Sequence, residues 1–321
     1  MKYLVTGGAG YIGSVVAAML VEAGAEVVVL DDGSTGDLST IADDVTPVEA
    51  SIHDVGRVLD GSFDGVFHLA GLIAAGESMA LPEKYWHVNT GGTLALLAAM
   101  RSAGVGRLVF SSTAAVYGDP VELPITEAAV CAPTSTYGAT KLAADHAIAS
   151  YARAYGLAAV SLRYFNVVGA YRGRTGRWHG ERHDPESHLI PLALAAAAGD
   201  GDALSLFGDD YATVDGTCVR DYIHVADLAR AHLLAIDAAA PARHSVYNLG
   251  NGVGFSNHQV IEAVEAVTGL TVPVKPAPRR PGDPATLVAS ARLAESELGW
   301  TRQRPELTMM VADAWEFYRH G

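Results

Sequence analysis

Cysteine is scarce in this 321-residue chain: Cys131 and Cys218 stand far apart and in no metal or redox spacing. Two free thiols in a reducing cytoplasm are the expectation. Basic residues are also in deficit, 22 Lys and Arg against 36 Asp and Glu, for a net charge of −14. That balance argues against a nucleic-acid surface, which needs clustered cations to neutralise successive phosphates. One small anion held by a few local arginines stays compatible with it. Half the residues are apolar, but many are alanines spread in short blocks, and no uninterrupted run reaches the roughly 18 residues that would span a bilayer. No membrane partner is expected. Internal repeats, a low-complexity tail and a Pro/Ser linker are missing too, which implies tightly packed lobes with the active site between them. Met1-Lys2-Tyr3 runs directly into a strand-like stretch, so no leader peptide is expected.

What is present starts with T-G-G-A-G-Y-I-G at residues 6 to 13, between the apolar stretch Lys2 to Val5 and the helix-like stretch Tyr11 to Ala23. Gly7, Gly10 and Gly13 allow a tight turn, bring bare N–H groups against a pyrophosphate and let the helix pack closely on the sheet. The anion then sits at the positive end of a helix. A glycine run by itself also marks ordinary turns, so context carries the argument. A second strand-like run from Glu26 to Leu30 ends at Asp31 and Asp32, close to the spacing at which a carboxylate reaches adenosine ribose hydroxyls. No arginine stands beside that pair. A carboxylate repels a 2′-phosphate that an arginine would clamp, which favours NAD over NADP.

Strand-like runs at Glu26 to Asp31, Asp64 to Ala70, Arg107 to Ser112 and Ala158 to Phe165 alternate with helix-length segments at Tyr11 to Ala23, Pro82 to Ala103 and Tyr137 to Tyr155. This alternation predicts an α/β fold, a Rossmann-type doubly wound parallel sheet with ligands at the carboxyl ends of its strands. After about residue 166 comes a long polar loop, Val168 to Ser187, then short mixed elements and the loop Pro273 to Pro284. Residues 1–166 are expected to be the dinucleotide-binding domain and 167–321 a smaller α/β substrate-binding lobe, with Val225 to Ala239 returning to the first.

Tyr137-Gly138-Ala139-Thr140-Lys141 places a phenol and an ammonium four residues apart, on one face of a helix. A free tyrosine, with a pKa of about 10, is a poor base at neutral pH, but neighbouring cations favour its phenolate. Tyr137 could then take a proton from a substrate hydroxyl while hydride leaves for the nicotinamide. On a solvated helix the same pair would be ordinary surface. Here it lies one strand-to-helix unit beyond Ser111-Ser112-Thr113, whose hydroxyls close a strand at the ligand edge. Thr113 is the residue placed to hydrogen-bond the reacting oxygen, although such hydroxyls also cap turns.

At this point the chain resembles the extended short-chain dehydrogenase/reductases and, within them, the nucleotide-sugar epimerases. The likeness spans nearly the whole chain. It rests on T-G-G-A-G-Y-I-G, on H-L-A-G-L at 68 to 72 with G-E-S at 76 to 78, on F-S-S-T-A-A-V-Y-G at 110 to 118 and on Y-G-A-T-K at 137 to 141. Further on stand R-Y-F-N at 163 to 166, L-F-G-D-D-Y at 206 to 211, D-G-T-C-V-R-D-Y-I-H-V at 215 to 225 and R-R-P-G-D at 279 to 283.

The resemblance implies NAD-dependent 4-epimerisation of a UDP-hexose, UDP-glucose or UDP-galactose, by reversible hydride transfer through a 4-keto sugar. Tyr137 would be the base, Lys141 would hold the nicotinamide ribose and tune Tyr137, and Thr113 would assist proton transfer. NAD would lie against Gly7, Gly10, Tyr11, Ile12, Gly13, Asp31, Ser51, Ile52, Leu69, Ala70, Gly71, Asn89, Ser111, Tyr137, Lys141 and Tyr164. The UDP-sugar would lie against Thr113, Asn166, His188, Leu189, Phe207, Arg220, Arg280, Asp283 and Leu287. A guanidinium fork suits a diphosphate, an aromatic side chain suits uracil, and a carboxylate accepts from ribose hydroxyls. The family also implies a homodimer, formed through the helices at Pro82 to Ala103 and Tyr137 to Tyr155.

Several positions depart from the family pattern. Ser51 stands where an acidic residue is usual, which alters one cofactor hydrogen bond. Ile73 replaces a lysine near the cofactor phosphates, and His188 replaces an asparagine in the nucleotide pocket. Leu287, beside the sugar, is a short wall that could admit an N-acetyl group, so UDP-N-acetylhexosamines join UDP-glucuronate and UDP-pentoses as alternative substrates. Ala114 and Ala115 occupy the positions of the acid and base that nucleotide-sugar dehydratases need, and methyl groups cannot shuttle protons. A net dehydrogenase or reductase and a non-catalytic NAD sensor are the rival classes. His179, His183, Asp184 and His188 invite a metal reading, but their spacing matches no standard ligand set. A polar substrate-flanking loop without metal is expected there.

Overall fold

The computed structural model describes residues 1–42, 44–183, 185–280 and 283–320. Asp184, one of the four loop residues weighed above, lies outside them, as do Pro281 and Gly282 of the R-R-P-G-D run.

The first half alternates strand and helix. β1 (Lys2–Thr6) leads to α1 (Tyr11–Glu22), β2 (Glu26–Asp31), β3 (Thr46–Glu49) and β4 (Gly65–His68). α2 (Ala75–Ala80), α3 (Pro82–Tyr85), α4 (Gly92–Ala103), β5 (Arg107–Ser111), α5 (Thr136–Tyr155) and β6 (Ala158–Tyr164) follow. Alternate strand residues point to opposite faces, and the sequence fills both with apolar side chains. Leu4, Leu30, Val66, Leu108 and Phe110 pack against α4 and α5, with Leu96, Met100 and Ile148. Their neighbours Val5, Val29, Phe67 and Val109 pack on the opposite face against α1, with Val15 and Val16.

The second half contains β7 (Asn166–Val168), β8 (Tyr171–Arg172), β9 (Trp178–His179), α6 (Leu189–Ala198), β10 (Leu204–Phe207), β11 (Val219–His224) and α7 (Val225–Ala238). β12 (His244–Leu249), β13 (Gly254–Ser256), α8 (Asn257–Thr268), β14 (Val274–Ala277), β15 (Thr286–Leu287), α9 (Arg292–Leu298) and α10 (Leu307–His320) complete it. α7 packs against α1, and β12 extends the first sheet beside β6. The remaining elements build a second core from Ile190, Leu194, Val260, Val264, Met310 and Val311.

The main sheet is parallel in the order β12-β6-β5-β4-β1-β2-β3. The strand order reverses between β1 and β4, the switch point outside whose carboxyl edge ligands bind in such sheets. Thr6, His68, Ser111, Tyr164 and Leu249 end their strands on that edge.

Two expectations need correction. The helix read as continuous from Pro82 to Ala103 contains a wide π turn at Trp86–Gly91, as happens where a helix bends to serve a site. Its buried Asn89 donates to the Leu72 carbonyl and to Thr140 Oγ1, both at 3.1 Å, and accepts from the Leu72 N–H at 2.8 Å. The segment read as a loop from Val168 to Ser187 folds back as the antiparallel pair β8 and β9. Arg177 anchors that pair by donating to the carbonyls of Ile41 and Ser39, at 2.6 and 3.0 Å.

Candidate active site

Close approach explains the glycines of the fingerprint. A Cβ on Gly7, whose φ is +73°, would lie 2.5 Å from the Ala70 backbone nitrogen, and one on Gly13 would lie 2.0 Å from the Gly7 carbonyl oxygen. Gly10 is the N-cap of α1 and no side chain caps that helix, so its first-turn N–H groups face the crevice. Tyr11 is tied to the second half of the chain, its hydroxyl donating to the Gly169 carbonyl at 2.5 Å. Ile12 and Leu69 pack at the margin of one core and Ala70 at the margin of the other.

Asp31 ends β2 and accepts the N–H groups of Ala9 and Gly33 at 3.0 and 2.9 Å. Burial raises its pKa, and these backbone bonds offset only part of the rise. Ser51 Oγ caps the next turn by accepting the His53 N–H at 3.3 Å. Ile52 is buried against α4. Ile73 is exposed.

Gly71 lies beside Asn89 and Lys141, where a Cβ would come within 3.2 Å of Lys141 Nζ. Lys141 is 4 % exposed and donates to the Ser111 carbonyl at 3.0 Å. Burial lowers its pKa to about 8, against the opposing field of Asp145. Asp145, one further helical turn along α5, accepts from Arg163 Nη2 at 3.0 Å and Ser112 Oγ at 3.1 Å. Burial raises the Tyr137 phenol, and its hydrogen bond with Thr113 partly offsets this. Thr113 Oγ1 also accepts the Ala115 N–H at 3.1 Å. Tyr164 sits next to Tyr137 and near Ser111, whose Oγ lies 2.9 Å from His232 Nε2. Phenol, ammonium and three hydroxyl-bearing side chains therefore converge at the edge of β5 and β6.

The residues assigned to the sugar nucleotide fall in two groups. Asn166, His188 and Leu189 line one cavity with Tyr222, because β7 pairs in register with β11 at Tyr222. Arg220 forms a short ion pair with Asp283, and the Arg280 guanidinium lies 4.0 Å over the Phe207 ring. Leu287 is opposite Arg220 in the β11–β15 register and packs against the cluster of Val116, Tyr117, Ile125, Phe165 and Ala289.

Two features carried no decisive sequence signal. Ser78 Oγ accepts the Tyr137 N–H at 3.0 Å, and only the G-E-S run hinted at it. His68 accepts or donates at both ring nitrogens, to Thr6 Oγ1 at 2.7 Å and Thr93 Oγ1 at 3.0 Å. Burial, then the Lys141 charge, lowers its pKa to about 3.

The family model that matches residues 3–250 describes the NAD-dependent epimerase/dehydratase family. The chain belongs to that family. It is 56% identical over 322 residues to a UDP-glucose 4-epimerase of Streptomyces lividans, covering 99% of this chain and 96% of the relative. A UDP-glucose 4-epimerase of Corynebacterium glutamicum is 51% identical over 319 residues, covering 99% and 95%. The crystal structure of a Brucella ovis UDP-glucose 4-epimerase in complex with NAD superposes with a TM-score of 0.93 at 43% identity, over 99% and 98% of the two chains. The glycine turn, Asp31, Tyr137 and Lys141 lie along one edge of the main sheet. Among the described residues no helix is long and apolar enough to cross a membrane.

Proposed function

We propose that this chain is an NAD-dependent 4-epimerase of UDP-hexoses, interconverting UDP-glucose and UDP-galactose. One observation carries the reading: the Tyr137 phenol, beside Thr113 and one helical turn from buried Lys141, stands where the strands of a dinucleotide fold end. Full-length identity to UDP-glucose 4-epimerases supports the substrate class.

NAD is the cofactor, and the bare glycine turn and the uncapped α1 terminus fit its pyrophosphate. Asp31 keeps acceptor capacity for the adenosine ribose, and Lys141 is placed for the nicotinamide ribose. Bound NAD supplies the acceptor and then the donor of the C4 hydride, and its cationic ring favours the Tyr137 phenolate that burial opposes. Tyr137 removes the proton from O4 as the C4–H bond breaks, and returns it when the 4-keto sugar is reduced on its other face. Thr113, beside the phenol, passes or orients that proton. Phe207 offers a face to uracil, Arg220 and Arg280 hold the diphosphate, Asp283 takes ribose hydroxyls, and Asn166, His188 and Leu189 close the nucleotide side.

Residues 1–166, with the return at 225–239, form the cofactor half in this proposal, and 167–321 the substrate half. The working unit is a homodimer, supported by Trp86, Leu94 and Tyr155, large side chains left exposed on the helices the family uses to pair. Free Cys131 and Cys218 suit a reducing cytoplasm.

Purified protein incubated with UDP-galactose should yield UDP-glucose by proton NMR with no net NADH. Failure to produce a 4-epimer from any UDP-sugar removes the proposal. A second reading, action on UDP-N-acetylhexosamines, is favoured by Leu287, whose aliphatic side chain at the margin of its cluster leaves more room than an aromatic one would.

A further inference from the structure

The geometry points to a divalent-cation site of the zinc class formed by Glu181, His183, Glu186 and His188. Their ligand atoms all lie within 4.8 Å of one another. His183 Nδ1 is 2.9 Å from Glu181 Oε1 and 3.9 Å from Glu186 Oε2, and His188 Nδ1 is 2.5 Å from Glu181 Oε1 and 3.4 Å from Glu186 Oε1. A tetrahedral ion with bonds of about 2.0–2.2 Å sets its ligands roughly 3.3–3.6 Å apart, a spacing these pairs bracket. Two imidazoles and two carboxylates are the donors that zinc-class ions take.

Within the cluster His188 Nδ1 already hydrogen-bonds Glu181 Oε1, an interaction that a bound cation would replace. The Glu181 side chain is 8 % exposed, and among the described residues its ion-pair partners are the two imidazoles, with no Lys or Arg in reach. Arg182, next in the chain, turns away to Asp37 and the Phe317 ring. Two carboxylates around a dication are neutral overall, which answers the cost of burying them. The His183 Nδ1 atom is sealed from solvent and makes no hydrogen bond of good geometry despite its closeness to Glu181. A ring nitrogen in that state is what a metal ligand presents. Glu186 is already oriented by an outer shell, its Oε1 accepting the N–H groups of Ser187 and His188 at 2.6 and 2.8 Å.

The position gives the ion a task. His183 lines the crevice shared with Gly10, Tyr11 and Asp37, whereas His188 is the N-cap of α6 and lines the cavity with Asn166 and Leu189. A cation here pins the chain between β9 and α6 across the boundary of the cofactor and nucleotide cavities.

The test reads binding, independently of epimerase activity. Full-length protein is dialysed against a chelator and titrated with Co²⁺ and, separately, Zn²⁺. One ion per chain is expected, with the visible absorption of tetrahedral Co²⁺ and a rise in Tm on adding Zn²⁺. Glu181→Gln and His183→Ala, checked for fold by circular dichroism, should bind at least about ten-fold more weakly, and His179→Ala should bind as wild type. Wild-type protein that shows neither tetrahedral Co²⁺ absorption nor a Zn²⁺-dependent Tm overturns the site whatever the variants do. So do Glu181→Gln and His183→Ala proteins that bind as tightly as wild type.

Discussion

Ser78 holds Tyr137 by its backbone: the buried Ser78 Oγ accepts the Tyr137 N–H at 3.0 Å while donating to the Ala75 carbonyl at 2.6 Å. This bond fixes the first turn of α5, and with it the direction in which the phenol leaves the helix. Ser78→Ala leaves that N–H unpaired and should cost about 1 kcal/mol of stability. A thermal melt with steady-state kinetics should show a lower Tm and a several-fold loss of kcat with NAD content retained. Unchanged kcat would separate the bond from catalysis.

Tyr137→Phe removes the ionisable oxygen and little else. Turnover should fall by roughly 10²- to 10⁴-fold, the usual contribution of a positioned acid–base group, while the fold and bound NAD persist. Near-normal rates would assign the proton to another side chain.

The glycine turn separates stability from cofactor binding. Gly13→Ala drives a methyl to 2.0 Å from the Gly7 carbonyl, so α1 must move off the sheet, at a cost of about 1–3 kcal/mol or more. At Gly10 a methyl meets only the Gly7 oxygen, at 3.4 Å, yet it covers the helix terminus. Gly10→Ala should therefore melt near the wild-type temperature and purify with less NAD. Calorimetry and the absorbance of released cofactor distinguish the two.

His68 should make the protein acid-sensitive. Its pKa is about 3 in the fold and about 6.5 in an unfolded chain. The stability it contributes is complete above about pH 6.5 and is lost as pH falls towards the folded value, because unfolding then takes up a proton. The slope approaches about 1.4 kcal/mol per pH unit. Asp221, raised to about 6 by burial despite three backbone N–H donors, acts with the opposite sign, so the comparison is made against His68→Asn. Wild type should lose stability relative to that variant between pH 7 and pH 5, and a gap that does not change with pH counts against the assignment.

Arg220→Ala deprives the proposed diphosphate site of its guanidinium and leaves Asp283 without its short ion pair. KM for the UDP-sugar should rise about ten- to a hundred-fold with a smaller change in kcat, as expected when an interaction serves ground and transition states alike. Isothermal titration with UDP provides the check. Unaltered affinity would remove Arg220 from the site.

Much of the first, strand–helix half of the chain was legible in the residues. The glycine turn, Asp31 and the Tyr137–Lys141 pair are local patterns, because turn, strand end and helix face are each settled within a few residues. β12 was not, since it reaches the sheet only after the excursion through β7 to β11 and its neighbour β6 lies some 80 residues back in the register. β3, a four-residue edge strand containing Pro47, carries too little pattern to announce itself.

The amino-acid order alone determined that a dinucleotide turn, a carboxylate, and a phenol with its ammonium would all come to one edge of a parallel sheet, because hydrophobic period and chain handedness leave few other outcomes. Only the tertiary structure decided which polar atoms those groups touch. The Ser78 anchor on Tyr137, the π turn that aims Asn89 at Leu72, and the meeting of Glu181, His183, Glu186 and His188 depend on how separate segments pack. Packing sums weak contacts from distant parts of the chain, and no local spacing encodes that sum.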